Sequence, residues 1–301
     1  MVLSMGLFAL EDTFLKLLGL RLPSGQVLMM AGTLGLVLFW ALMAARGLRL
    51  WTRDLLHPLV LARNLGEGLA AMAFLTAITT GDLSSASAIL QALPLTITLG
   101  AALFLGEPVG WRRWLSVAAG FAGVLIIVRP GAESFQMASL LAVLAVAALT
   151  LRDLVTRRIP ARISSDALTA SAFGAVAPAG LALYLLQGQG ALVPAPLEFG
   201  YMAGAALVGL TAYLAMVVSM RLAPIAAVAP FRYSRLVFAI MIGIGIFGER
   251  PDALTWIGAA IIVISGSYAM WREARILGTA RGTTSPATHR GSAGPGGTAP
   301  R

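Results

Sequence analysis

The sequence predicts an all-α membrane protein of ten transmembrane helices, arranged as two inverted repeats of five. Three observations carry that expectation. Of 301 residues, 58% are hydrophobic and only 12% charged, with a mean hydropathy of +0.85, a balance foreign to soluble domains. The apolar residues come in blocks of about twenty, the length that crosses a ~30 Å hydrocarbon core as a helix. Finally, LFLGEPVGWRRWLSVAAGFAGVLII (103–127) aligns with GIFGERPDALTWIGAAIIVISGSYA (245–269), placing Gly106-Glu107 on Gly248-Glu249 at an offset of 142. Five spans per copy is an odd number, so the two copies insert with opposite orientation.

The first span, at 2–20, contains FALEDTFLKLLG with Glu11, Asp12 and Lys16. Large apolar residues favour insertion by about 0.3–0.6 kcal/mol each, whereas each central charge opposes it by roughly 2.5–3.5 kcal/mol. Those charges therefore need partners. Asp12 and Lys16 are i,i+4 and can pair, while Glu11 is left over, about 100° round the helix. Either Glu11 or Asp12 is a proton or cation site facing a cavity, or the group is a structural ion pair joining spans 1 and 6.

The second span covers 25–45 and the third 59–80, where Arg63 and Glu67 are again i,i+4. Arg63 is expected to snorkel to the interface. Glu67 lies deeper, between Gly66 and Gly68, and is expected to line a cavity. The fourth span, 83–106, carries Gln91; the fifth covers 111–129, where Ala119-x3-Gly123 reads as a helix contact. In the sixth, 136–157, Asp153-x3-Arg157 matches Asp12-x3-Lys16 at nearly the repeat offset. The seventh and eighth cover 166–187 and 199–221, the latter with a second small-residue pair, Gly200-x3-Gly204.

The ninth span, 224–248, holds the densest polar group, PIAAVAPFRYSRLVF, and the tenth covers 253–272. Arg232 and Arg235 are i,i+3 and share a face of a span that would be about 37 Å long. Pro230 cannot donate to the carbonyl of Ala226, which frees an acceptor at depth. Tyr233 sits between the arginines and falls on Gln91 by the repeat. Two guanidiniums, a phenol and a free carbonyl in one place read as a binding site for an anionic group, with Arg232 or Arg235 as its fork-shaped ligand. The competing reading makes both arginines internal counter-ions of Glu11 and Asp153. Glu107 and Glu249, at span ends, read as turn-shaping residues, and the tryptophans as an interfacial belt.

Orientation follows from arginine. With the N-terminus inside, inner segments hold eleven arginines, among them Arg46, Arg49, Arg112, Arg157 and Arg275, against three outside, Arg21, Arg129 and Arg250. Both termini are therefore expected in the cytoplasm. The chain opens directly in an apolar segment with no basic n-region, so a cleaved signal peptide is not expected, and whether translation starts upstream of Met1 stays open. The stretch 278–301 is Gly/Ser/Thr/Pro-rich and reads as a disordered tail. The chain has no cysteine, which excludes disulfides and thiolate metal centres, and neither His57 nor His289 has metal-ligand company. The surplus arginine reports topology rather than nucleic-acid binding.

AILQALPLTITLGAALFLGEPVGWRRWLSVAAGFAGVLIIVRPG (88–131) and APFRYSRLVFAIMIGIGIFGERPDALTWIGAAIIVISG (229–266) resemble the second half of an EamA-type domain of the drug/metabolite transporter superfamily. The paired Gly-Glu ends are the most specific marks, and the resemblance covers residues 1–272, as copies 1–131 and 136–272. It implies a carrier of small organic metabolites with a central cavity lined by spans 1, 3, 4, 6, 8 and 9. With the charges above, it predicts a secondary transporter of a small polar or anionic metabolite in a bacterial inner membrane. Arg232, Tyr233, Arg235, Gln91 and Glu67 are its candidate substrate ligands, and Glu11, Asp12 and Asp153 its candidate proton-coupling groups. An exporter of amphipathic drugs is the alternative within the class, and a homodimer is compatible with either. A lipid-linked transferase would need a clustered acid/base or metal set, or a nucleotide loop, and no such motif is found. No cofactor is expected.

Overall fold

The computed structural model describes residues 1–47, 53–107, 109–132, 135–222 and 228–282. Arg49, Trp51, the first residues of the ninth expected span (224–227) and the tail from 283 lie outside the described residues. The described residues form α1 (Val2–Gly19), α2 (Ser24–Ala45), α3 (Pro58–Thr80), α4 (Leu83–Leu90), α5 (Leu93–Phe104) and α6 (Trp111–Val128). They continue with α7 (Met137–Thr156), α8 (Ser165–Gln187), α9 (Pro196–Leu222), α10 (Ser234–Phe247) and α11 (Ala253–Gly282), plus short 3-10 helices at Arg53–Leu56 and Ala229–Tyr233. No strand occurs among them. The last helix continues to Gly282, beyond the point at 278 where composition suggested a tail.

Eight stretches are long and apolar enough to cross a bilayer: α2, α3, α4 with α5, α6, α7, α8, α9 and α11. Large apolar side chains such as Leu125, Leu185, Leu207 and Ile264 point outward along them, as lipid contact requires. Two of the expected spans differ from this pattern. α1 is of sufficient length but contains Glu11, Asp12 and Lys16, and α10 has only 14 residues.

Spans 4 and 9, read from sequence as continuous, are both broken, and at matching places. Pro94 has no N–H for the carbonyl of Leu90, so the chain closes with tighter bonds, Gln91 N to Ala88 O at 3.2 Å and Ala92 N to Ile89 O at 3.0 Å. The second break follows Pro230, where the 3-10 helix Ala229–Tyr233 gives way to α10 at Ser234. Gln91 and Tyr233 each sit at the break, 142 residues apart.

Helices of the two halves pack mainly on each other. α2 packs on α8, α6 on α11, α3 on α7 and α1 on α9. Exchanging the halves turns the α3–α7 pair into the α9–α1 pair and leaves the other two unchanged. Bare glycine backbone permits the closest of these approaches. A Cβ on Gly123 would lie 2.8 Å from the carbonyl oxygen of Gly258, and one on Gly258 would lie 2.7 Å from that of Gly123. Gly204 packs on the Phe14 ring, but Gly200 faces open space, so the second small-residue pair is not a helix–helix contact along its full length.

Side-chain bonds differ between the two ends of the bundle. At the end bearing the α1–α2, α3–α4, α6–α7, α8–α9 and α10–α11 connections, Lys16 pairs with Glu249, Arg129 with Asp252, and Gln26 with the backbone of Leu192. At the opposite end the pairs are Arg157–Glu107 and Arg162–Asp54, all with exposed side chains. The apolar core, with Leu18, Ile78, Leu83, Ile89 and Ile262, is shared by both halves.

Candidate functional site

Helix α1 presents its adjacent acids in different directions. Asp12 is buried and accepts from Arg235 of α10, Nη2 at 2.6 Å and Nε at 3.3 Å from Oδ2. The Arg235 guanidinium also lies 5.5 Å from the centre of the Phe8 ring and 5.8 Å from that of Phe74. Charge, hydrogen bonds and ring faces thus hold Arg235 in place. Asp12 was expected to pair with Lys16 one turn along; it pairs across the bundle instead. A short bond to a planar fork compensates desolvation better than an i,i+4 contact between side chains of the same helix.

Glu11 points toward α9. Its carboxylate fills the space beside Gly209, where a Cβ would lie 2.5 Å from Oε1. It forms part of the wall of a cavity of about 150 Å³ with Phe8, Phe173, Tyr213, Gly35 and Leu210. Among the described residues, nothing hydrogen-bonds or ion-pairs with Glu11. The cavity lies among α1, α2, α8 and α9, so span 2 contributes to its wall alongside spans 1, 7 and 8.

A second charged group lies between α3 and α7, on the side of the exposed pairs. Arg152 of α7 donates to both oxygens of Glu67, at 3.1 and 3.2 Å, and to Asp153 Oδ1 at 2.8 Å. Arg63 reaches Glu67 only at 3.9 Å, beyond hydrogen-bond distance, and donates to Asn64 and to the carbonyl of Leu168 instead of leaving for the interface. Arg152 was not singled out from sequence. The available signal was an arginine beside Asp153 in the apolar run LTLRDLV, the same evidence that marked Arg232.

Arg232 completes this group. Asp153 and Arg152 act on it electrostatically, with Arg235 beyond them. The residue is exposed, and no described residue gives it a hydrogen bond or an ion pair. Its neighbour Tyr233 turns away and is buried with its hydroxyl against Gly266 of α11, without a hydrogen-bond partner. Gln91 is likewise buried, and its Nε2 has no partner. The structure thus gathers Glu67, Asp153 and Arg232 with Arg152, joins Asp12 to Arg235, and leaves Tyr233 and Gln91 at the two helix breaks. Three cations against two carboxylates leave the Arg63–Glu67–Arg152–Asp153–Arg232 group one positive charge in surplus.

Glu249, read from sequence as shaping its own turn, caps another helix. It accepts the N–H groups of Leu83 and Ser84 at 2.6 and 2.9 Å, the Ser84 hydroxyl at 2.6 Å, and Lys16 Nζ at 2.7 Å. These are first-turn donors of α4, where a carboxylate is favoured by the helix dipole. Burial pushes the Glu249 carboxyl up, but the bonds from Lys16, Ser84 and Leu83 outweigh it and hold the group below the ordinary range. Among the described residues, no three of His, Cys, Asp or Glu converge as metal ligands.

The sequence profile of the EamA-like transporter family matches residues 1–129 and 136–270. The riboflavin transporter of Rhizobium johnstonii is 30% identical over 215 residues, 71% of this chain and 70% of that one. The pseudopaline exporter of Pseudomonas aeruginosa is 27% identical over 268 residues, 88% and 92% of the two chains. A solved crystal structure, 17% identical, superposes with a TM-score of 0.63 over 91% of this chain and 97% of the other, a likeness of fold alone.

Proposed function

From the premise that this chain belongs to the EamA-like transporter family, we propose that it moves a small organic solute bearing an anionic group by alternating access. Arg232 is the direct ligand of that group, and Glu11 is the carboxyl that takes up and releases a proton in each cycle. The observation that carries the reading is Arg232 itself: an exposed residue with no hydrogen bond or ion pair to any described residue, in a group with one surplus positive charge. A planar fork with no directly bonded carboxylate is suited to bidentate capture of carboxylate or phosphate. Arg235, the other candidate, is already engaged by Asp12.

The architecture we assign is ten membrane crossings in two inverted repeats, 1–131 and 136–272, with both termini cytoplasmic in a bacterial inner membrane. The matched helix breaks and the exchangeable helix pairs support it. So do short helices meeting at breaks in the bundle interior, a recurrent form of carrier binding site. Glu11 supports the coupling role because it faces a cavity and makes no hydrogen bond or ion pair among the described residues.

Uptake and efflux by proteoliposomes, across a panel that includes riboflavin, pseudopaline and carboxylated and phosphorylated metabolites, test the assignment. Arg232→Lys keeps the charge and loses the fork, so the apparent affinity is expected to fall by about tenfold at unchanged protein level. Unchanged transport by Arg232→Lys, or competition by neutral and cationic solutes alone, refutes it.

A further inference from the structure

The two Gly-Glu ends occupy different environments. Glu249 and its partner Lys16 are 5% and 8% exposed, and Glu249 satisfies two backbone amides and one hydroxyl at the start of α4. Lys16 donates as well to the carbonyl of Gly81 at 2.8 Å and lies 4.7 Å from the centre of the Phe247 ring. By the register of the repeat, Glu249 corresponds to Glu107 and Lys16 to Arg157. That second pair also forms, at 2.9 Å, but its side chains are 47% and 46% exposed, and no α4-like cap joins it among the described residues.

Each pair lies at a different end of the bundle. The Lys16–Glu249 pair shuts the end at the α3–α4 and α10–α11 connections. The Arg157–Glu107 pair lies at the other end, where Arg152, Asp153 and Arg232 are partly or fully exposed. A cation–glutamate pair at nearly the same register is therefore buried at one end and exposed at the other.

We propose that Lys16–Glu249 and Arg157–Glu107 are two latches of one transport cycle, each buried in turn as the opposite end opens. The inference rests on the alternating-access reading and adds the residues that hold each end closed. A buried carboxylate with four donors resists opening, and one end can release such a set when an equivalent set is buried at the other. Inverted repeats provide that equivalence. Ser84 and the amides of Leu83 and Ser84 belong to the first latch, which makes the start of α4 the segment that moves away when it opens.

The absence of cysteine from the chain allows a direct test. Ser87 is fully buried, one turn below Ser84, with an unpartnered hydroxyl. In full-length protein in liposomes without added solute, S87C is expected to resist a water-soluble maleimide. Adding E249Q should raise the labelling rate by at least about tenfold, since it removes a charge-assisted bond set. K16M, which spares the α4 cap, should raise it less, and is the fallback if E249Q does not fold. E107Q weakens the opposite latch and should leave labelling as low as in S87C alone, or lower. Rapid labelling of S87C by itself, no rise in folded E249Q and K16M, or a rise in E107Q like that in E249Q each overturns the proposal. Labelling needs no transport, so opposite responses of E249Q and E107Q in a protein that moves no solute refute the transport reading while still showing that the two pairs hold opposite ends closed.

Discussion

Asp12 and Glu11 are neighbours on one helix and face opposite fates. Asp12 is the counter-ion of Arg235, so removing its charge leaves a guanidinium without its partner in the bundle. Asp12→Asn is expected to cost on the order of 2 kcal/mol of stability, the worth of a charged hydrogen bond, read as a lower melting temperature. Amide replacement there does more than remove a titrating group. Glu11→Gln loses no described partner, so its melting temperature should hold or rise, and the pH dependence of transport should flatten. Thermal melts in detergent and uptake measured across pH check both. A Glu11→Gln protein with the native pH profile would remove Glu11 from the coupling role.

At the scale of elements, glycine position separates contact from composition. Gly123→Val places side-chain atoms against the carbonyl of Gly258 and should cost about 1–3 kcal/mol through forced separation of α6 and α11. Gly200→Ala meets open space in α9 and should be neutral or stabilising by up to about 1 kcal/mol through helix propensity. Melting temperatures that fail to separate these two variants would contradict the described α6–α11 contact.

Capping gives a pH-dependent case at the start of α11. Asp252 accepts from Arg129 at 2.5 Å and from the Thr255 N–H at 2.9 Å. Chiefly the Arg129 bond, then the Thr255 bond, hold its carboxyl well below the usual range. A depressed folded value means that the stabilisation is complete above the unfolded value of about 3.9 and lost as pH falls through the lower folded one. The melting difference between native protein and Asp252→Asn should therefore be full at neutral pH and shrink only in strong acid. A difference that grew on acidification would contradict that sign.

For the whole molecule, the arginine asymmetry predicts where reporters function. A cytoplasmic-type reporter fused after Arg275 and an external-type reporter inserted at Pro194 should both be active, and the reverse types silent. Reversed activities would overturn the orientation and, with it, the side of the membrane to which each latch belongs. The latches and Arg232 would keep their geometry, because that depends on the bundle and not on its direction.

Much of the helical architecture was legible in the sequence because each helix satisfies its own backbone, which makes apolar block length a nearly sufficient guide. The bounds of α2, α3, α6, α7 and α8 lie within a residue of those read from hydropathy. Pro94 was legible too, but its consequence, a break in span 4, was not drawn. The register of the two Gly-Glu ends was likewise visible in the linear chain. Sequence alone marked Glu11, Asp12, Glu67, Asp153, Arg232 and Arg235 as charges needing an explanation, since each opposes insertion. It could not say which charges would meet. Lys16 finds Glu249, 233 residues away, and Asp12 finds Arg235, 223 residues away. Such pairing depends on which helix faces lie together, and many local pairings compete at similar energy. Only the packed bundle decided that Arg235 is satisfied and Arg232 is not, and that one of two corresponding ion pairs is buried while the other is exposed.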